Sequence, residues 1–287
     1  MHMSILTSAS RKINKPLGKL GVHTILLCYM IIALWPIFLV ISNAFKSRKA
    51  IFRDPMALPD VDSFSIVGFE KVLARSNFDL YFLNSFTVMT VSLAITLVAG
   101  AMAAWALSEY KFRGNTLLGL YLAIGIMVPI RLGSVSILKL IVDLDLTNTL
   151  TALILVYVAQ SLPLTIFILN EFMSQIPKDL KEAARCDGVS EYRIFFQIIL
   201  PLTRPAIATV GIFTMVPVWN DLWFPLILAP GESTRTVTLG VQQFVGQYVT
   251  DWNAVLASLT LAIIPIMIVY LIFSRQLIRG ITSGAVK

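Results

Sequence analysis

The chain has 287 residues, 57% of them hydrophobic and 14% charged, with 23 Lys and Arg against 16 Asp and Glu for a net charge of +7. A soluble domain carries roughly 25% charged residues, so this chain cannot hide its apolar surface in a water-soluble core. The positive balance then points to a membrane surface and not to nucleic acid. Cys28, Cys186, His2 and His23 lie in unrelated contexts, which argues against a disulfide scaffold and against a Cys/His metal site.

A spanning helix needs about 20 apolar residues. Residues 24–45, 80–108, 146–170 and 252–274 contain no Asp, Glu, Lys, Arg or His, and two shorter apolar runs are interrupted once each, by Arg131 and by Asp221. All six windows are too long for barrel strands and lack sustained alternation, so the predicted fold is an all-α polytopic membrane protein. Its six transmembrane helices are expected at about 23–45, 81–108, 116–137, 147–171, 203–228 and 253–275. They form one transmembrane domain, residues 23–277, with an external segment at 46–80 and a cytoplasmic loop at 172–202. A basic N-terminus, residues 1–22, precedes it, and a tail, 278–287, follows.

The first window follows Arg11, Lys12, Lys15 and Lys19 and ends near Ser42-Asn43-Ala44, as a secretory signal would. Its apolar run exceeds the roughly 7 to 15 residues of a signal core, which predicts an uncleaved first helix. Cys28 within it reads as a small buried hydrophobe. In the second window Ser92, Thr96, Gly100 and Ala104 recur every four residues, a stripe suited to close packing against another helix.

Arg131 falls about 22 Å along the third span, and Asn220 and Asp221 about 25 Å along the fifth, so these charges share a depth in the outer half. An unpaired charge facing lipid is costly, and Arg131 and Asp221 are therefore expected to face the bundle interior or an outer cavity, as a pair. Trp219, Asn220 and Asp221 lie between Pro217 and Pro225. A helix break with an interfacial tryptophan is one reading, and a ring stacked on a sugar is the other. The outer loop from Gly231 to Asp251, with Glu232, Arg235, Gln242, Gln243 and Gln247, is polar enough to meet a partner or to dip towards the path.

The loop after the fourth span has its own helical patterning. Pro177 suits the first turn of a helix running through Leu180, Ala183 and Ala184 to Gly188, a residue that closes helices cheaply. Ser190 suits the cap of a second helix, with Tyr192, Phe195, Phe196 and Ile199 on one face until Pro201 ends it. Small Ala183 and Ala184 allow another surface to approach, amid Glu182, Arg185, Asp187, Glu191 and Arg193. The pattern alone fits a hairpin lying on the inner leaflet as well as it fits a protein-docking site. Cys186 reads as a chance thiol there.

With the N-terminus in the cytoplasm, fourteen of the 23 basic residues fall inside, the main exception being the stretch from Lys46 to Arg53. Six spans then put both termini in the cytoplasm.

Glu182-Ala183-Ala184, three residues, Gly188, nine residues and Ile198-Ile199-Leu200-Pro201 match the EAA-loop pattern of ABC-importer permeases at every fixed position. Trp219-Asn220-Asp221 with Phe224-Pro225-Leu226 resembles the fifth helix of carbohydrate-uptake permeases of the maltose-transporter type. The tail Arg279-Gly280-Ile281-Thr282-Ser283-Gly284-Ala285-Val286-Lys287 resembles the ending of that family's second permease. With Thr147-Asn148-Thr149, the similarity covers roughly residues 80–287. It implies a bacterial or archaeal cytoplasmic-membrane subunit that imports sugars, di- or oligosaccharides, by alternating access. Its implied partners are a second permease, two ATPase subunits and an extracytoplasmic solute-binding protein. By position, Glu182, Ala183, Ala184, Arg185, Asp187 and Gly188 would couple to the ATPases, and Arg131, Trp219, Asn220 and Asp221 would serve the path or its gating.

The chain has no phosphate-binding G-x-x-x-x-G-K-[ST] loop and no carboxylate pair within its spans. A non-catalytic subunit without its own cofactor is therefore expected, with ATP and Mg on the partner ATPases. The alternatives are an importer for polyols or glycerol phosphate derivatives, and a gradient-driven carrier, which would need more intramembrane ionisable groups and an internal repeat.

Overall fold

The computed structural model describes residues 15–246 and 250–285. Helix α1 (Lys15–Ala44) exposes most of its apolar surface and packs chiefly against the last helix. Cys28 is exposed on it, which corrects the expectation of a buried residue: this part of α1 faces away from the rest of the chain. The chain then turns through a short segment closed by an antiparallel bridge between Lys46 and Phe64, containing α2 (Arg48–Arg53). Helix α3 (Val67–Arg75) follows and lies on the start of the last helix. A Cβ on Gly68 would sit 2.3 Å from the Asn253 carbonyl oxygen, so only glycine permits this approach.

Lys71 Nζ meets Asp251 Oδ2 at 2.6 Å on the same contact. Burial opposes the charged carboxyl, but the Lys71 hydrogen bond and the Ala254 N–H outweigh it and hold Asp251 below its ordinary 3.8. A lowered carboxyl pKa contributes stability above the unfolded value, lost as pH falls through the folded one. Lys71→Met should therefore lower the melting temperature at neutral pH, and the difference from wild type should vanish in acid below the Asp251 pKa. A difference that persists there would mean that lost packing, and not charge, is responsible.

Helix α4 (Phe78–Glu109) is the longest buried element. Gly114, at φ 95°, turns the chain into α5 (Asn115–Met127). Proline disfavours helix in the residue before it, and Val128, preceding Pro129, is extended at φ −77°, ψ 118°. A 3₁₀ turn (Ile130–Gly133) and α6 (Ser134–Asp143) continue at 85° to α5. The expected third span, 116–137, is thus a bent pair whose first arm is only about 20 Å long. Helix α7 (Leu150–Ser174) is capped by Thr149 Oγ1, which accepts from the Ala152 N–H at 3.2 Å.

Next come α8 (Lys178–Cys186), α9 (Glu191–Arg193), a π-helical run (Ile194–Ile199) and α10 (Leu200–Leu202). Pro201 does not end the helix as expected, because the wider π turn before it relieves the clash of its ring with the preceding carbonyls. The break comes at Thr203, where α11 (Arg204–Asn220) departs at 74°. The expected fifth span, 203–228, breaks again before α12 (Trp223–Leu228). A short α13 (Val237–Gln242) then leads to α14 (Trp252–Ala285). The expected tail begins as a continuation of α14, and Val286, Lys287 and residues 1–14 lie outside the described residues.

Among the described residues four helices are long and apolar enough to cross a membrane, or up to six if each bent pair is one span. The small-residue stripe of α4 does what its spacing predicts: Ser92, Thr96 and Ala104 are fully buried, and a Cβ on Gly100 would come 2.4 Å from Thr165 Cγ2 of α7.

Candidate functional site

Two groups of residues stand out, one outside the bundle and one at the helix breaks. The first is α8 and its corner. Gly188, at φ 74°, closes α8: its N–H donates to Arg185 O at 3.0 Å, and the Val189 N–H donates to Ala184 O at 3.0 Å. These paired bonds define the glycine-terminated helix end, and the left-handed φ makes glycine the favoured residue. No heavy atom lies within 4 Å of a Cβ placed there, so the constraint is conformational and not steric.

The six expected coupling residues divide between two faces. Glu182, Ala183, Asp187 and Gly188 are exposed. Ala184 is instead buried beside Ile194 and Met173, which corrects the expectation that both alanines face a partner. Arg185 turns inwards, its Nη2 2.6 Å from Glu109 Oε1 at the end of α4 and its Nε 2.7 Å from Glu191 Oε1. The Glu191 and Glu109 carboxylates raise its pKa and keep the guanidinium charged. Lys181 Nζ binds the other oxygen of Glu109 at 2.5 Å and lies 5.4 Å from the centre of the Trp105 ring. Tyr110 Oη donates to Glu191 Oε2 at 2.9 Å. Glu109 and Lys181 were not singled out by the pattern; the one available signal was that Glu109 ends the longest charge-free window.

The second group surrounds Asp221, between α11 and α12. Its carboxylate accepts from the Phe224 N–H at 3.1 Å and the Trp223 N–H at 3.3 Å, capping α12. It also accepts from Tyr157 Oη of α7 at 2.9 Å and from Arg131 Nη2 at 3.3 Å. The expected pair is present, joining the break in α5–α6 to the break in α11–α12. Trp223 Nε1 donates to Ser134 Oγ at 2.8 Å, and Thr238 Oγ1 donates to the Asp221 carbonyl at 2.8 Å. Arg131 keeps 68% of its side chain exposed, whereas Asp221 keeps 9%. Asn220 is exposed, its Nδ2 donating to Val216 O at 2.9 Å.

Trp219 stands beside the expected helix break, α11 ending at Asn220, but its ring is buried. It is 3% exposed, donates from Nε1 to Ala262 O at 3.1 Å and meets Phe82 edge to face. Its ring thus joins α11 to α14 and presents no open face. The loop that begins at Gly231 also folds back onto the bundle. Asn84 of α4 donates to the Ser233 and Arg235 carbonyls, both at 3.0 Å, and Gly240 of α13 abuts the Tyr81 ring. Tyr81 donates to Glu232, and this hydrogen bond, aided by Asn77 and Arg235 against burial, holds the Glu232 carboxyl below its usual range. Gln247 lies outside the described residues.

Four apolar helices of crossing length and two bent pairs, with a braced corner projecting from the bundle, have the form of a polytopic membrane protein. The chain belongs to the family described as binding-protein-dependent transport system inner membrane component, whose model matches residues 74–283. It is 36% identical over 90% of its length to a putative ABC transporter permease protein, ORF2, of Caldicellulosiruptor, covering 96% of that protein. It is 32% identical to the diacetylchitobiose uptake system permease protein NgcG of Streptomyces coelicolor, over 92% of this chain and 88% of that one. A bacterial ABC transporter involved in import of the acidic polysaccharide alginate shares the fold, with TM-score 0.79, 20% identity and coverage of 93% and 99%. The chain is accordingly a membrane-embedded permease subunit of a binding-protein-dependent importer.

Proposed function

We propose that this subunit forms half of the path of an ATP-driven importer of di- or oligosaccharides, docking its ATPase through the exposed face of α8. The observation that carries the docking role is that Glu182, Ala183, Asp187 and Gly188 project from a corner whose opposite face is pinned to the bundle. A helix lying on a leaflet would turn an apolar face outwards. Here the outward face is largely polar, which favours a protein partner. The sugar assignment is supported by NgcG, named for diacetylchitobiose uptake.

In this reading α8 and both termini are cytoplasmic, in a bacterial or archaeal cytoplasmic membrane, and the chain itself performs no catalysis. ATP and Mg bind the ATPases, and a second permease and an external binding protein complete the system. Arg131, Asn220 and Asp221 mark where spans three and five break together, and they serve gating. Trp219 holds α11 against α14 and serves the path only by that packing.

Ala183→Trp tests the docking face, since the added ring extends outwards and leaves the bundle untouched. In detergent the variant should melt with the wild type yet retain less than about a tenth of the co-purifying ATPase, because bulk at the centre of an interface is poorly tolerated. Undiminished ATPase recovery sinks the assignment of this face. Uptake of labelled diacetylchitobiose by vesicles holding the complex with its binding protein tests the substrate class, and competition only by non-sugar solutes overturns it.

A further inference from the structure

The coupling helix α8 is joined to three spans: to the end of α7 by residues 175–177, to α11 through the Gly188 corner, and to α4 by side-chain contact. Along the chain it reaches α11 only after the Gly188 corner, the π-helical run Ile194–Ile199 and the 74° bend at Thr203. The corner itself is braced, but along this route the winding changes at the π run and the ladder of hydrogen bonds is interrupted at the bend, which is the compliant point. By contact it reaches the last turn of α4 directly. Both oxygens of Glu109 are engaged, Oε2 by Lys181 at 2.5 Å and Oε1 by Arg185 at 2.6 Å. The Lys181 and Glu109 side chains are 4% and 10% exposed, so little water weakens their attraction. Arg185 also holds Glu191, which Tyr110 holds in turn, so the ring of contacts closes across the glycine corner.

We propose that Glu109 is a positioning residue of the coupling step, fixing α8 to α4 so that displacement of α8 moves the second span directly and reaches the fifth through the softer chain connection. This rests on the docking role proposed for α8. The close contact of Gly100 with Thr165 keeps α4 in step with α7, to which α8 is also joined through residues 175–177.

The test uses the complex purified with its ATPase, with Cys28→Ser and Cys186→Ser as the parent. Glu109→Cys with Lys181→Cys is added and examined before and after joining the thiols with a bifunctional methanethiosulfonate matched in length to the ion pair. Unlinked, the variant should keep its ATPase but transport about fivefold less solute per ATP hydrolysed, and linking should restore the ratio to within about twofold of the parent. A linked complex that hydrolyses ATP but cannot transport would mean that α8 and α4 must separate, which overturns the proposal. So would an unlinked complex that couples as well as the parent. Should the cysteine pair fail to fold, Glu109→Gln gives the same ratio, which must fall with the ATPase still bound. If the wild type brings down no ATPase, the docking role of α8 has failed and this attachment fails with it.

Discussion

Asp221→Ala is expected to destabilise the protein by about 3 kcal/mol and to abolish transport, because the change leaves Tyr157 without an acceptor and α12 without a cap. Tyr157 is 2% exposed, and its hydroxyl has no other acceptor among the described hydrogen bonds. An orphaned buried donor costs about 1–3 kcal/mol, and a lost helix cap about 0.5–2 kcal/mol. Asp221→Asn retains one acceptor and should lose about 1 kcal/mol. Arg131→Gln separates stability from function: an exposed ion pair contributes at most about 1 kcal/mol, so melting should barely move while transport falls. Thermal unfolding in detergent, read beside vesicle uptake, checks all three. If Asp221→Ala melts with the wild type, the junction is not a stabilising element.

Gly100→Leu should be the most damaging substitution within the apolar core of the membrane domain. Even a Cβ at this position would come 2.4 Å from Thr165 Cγ2 and 3.3 Å from Thr165 Cβ, so α4 and α7 must separate to admit a larger side chain. Overpacking of this kind costs roughly 3 kcal/mol. Gly100→Ala makes the argument specific, since alanine gains about 1 kcal/mol in helix propensity and any net loss must come from the contact. Thr165→Ser deletes the methyl group that is struck, and it should restore most of what Gly100→Ala loses. Melting temperatures of the single and double variants decide the point, and an additive pair would place the clash elsewhere.

The sequence made the spans legible because length and the absence of charge are one-dimensional properties. The stripe on α4 and the corner at Gly188 were legible for the same reason, being matters of spacing and backbone conformation. Arg131 and Asp221 could be paired because an intramembrane charge has few inexpensive alternatives. What was hidden depends on contacts between distant segments. The burial of Ala184 is set by Ile194 and Met173, and the role of Glu109 by residues more than seventy positions away. The burial of Trp219 was hidden because a tryptophan near a helix end looks the same in sequence whether its ring meets lipid or Phe82. The bend at Val128–Pro129 was recoverable from the proline itself, yet the apolar run through it suggested one span.

The packing of α1 has a consequence for biogenesis. Its main neighbour is α14, and α3 also rests on α14, so a helix made early is held by one made more than 200 residues later. Until residue 252 has been synthesised and inserted, α1 must persist in the bilayer by hydrophobicity alone. The mean hydropathy of 2.6 in its most apolar 18-residue window suits it to that wait. A nascent chain arrested before α14 would thus hold α1 and α3 without the helix against which both pack.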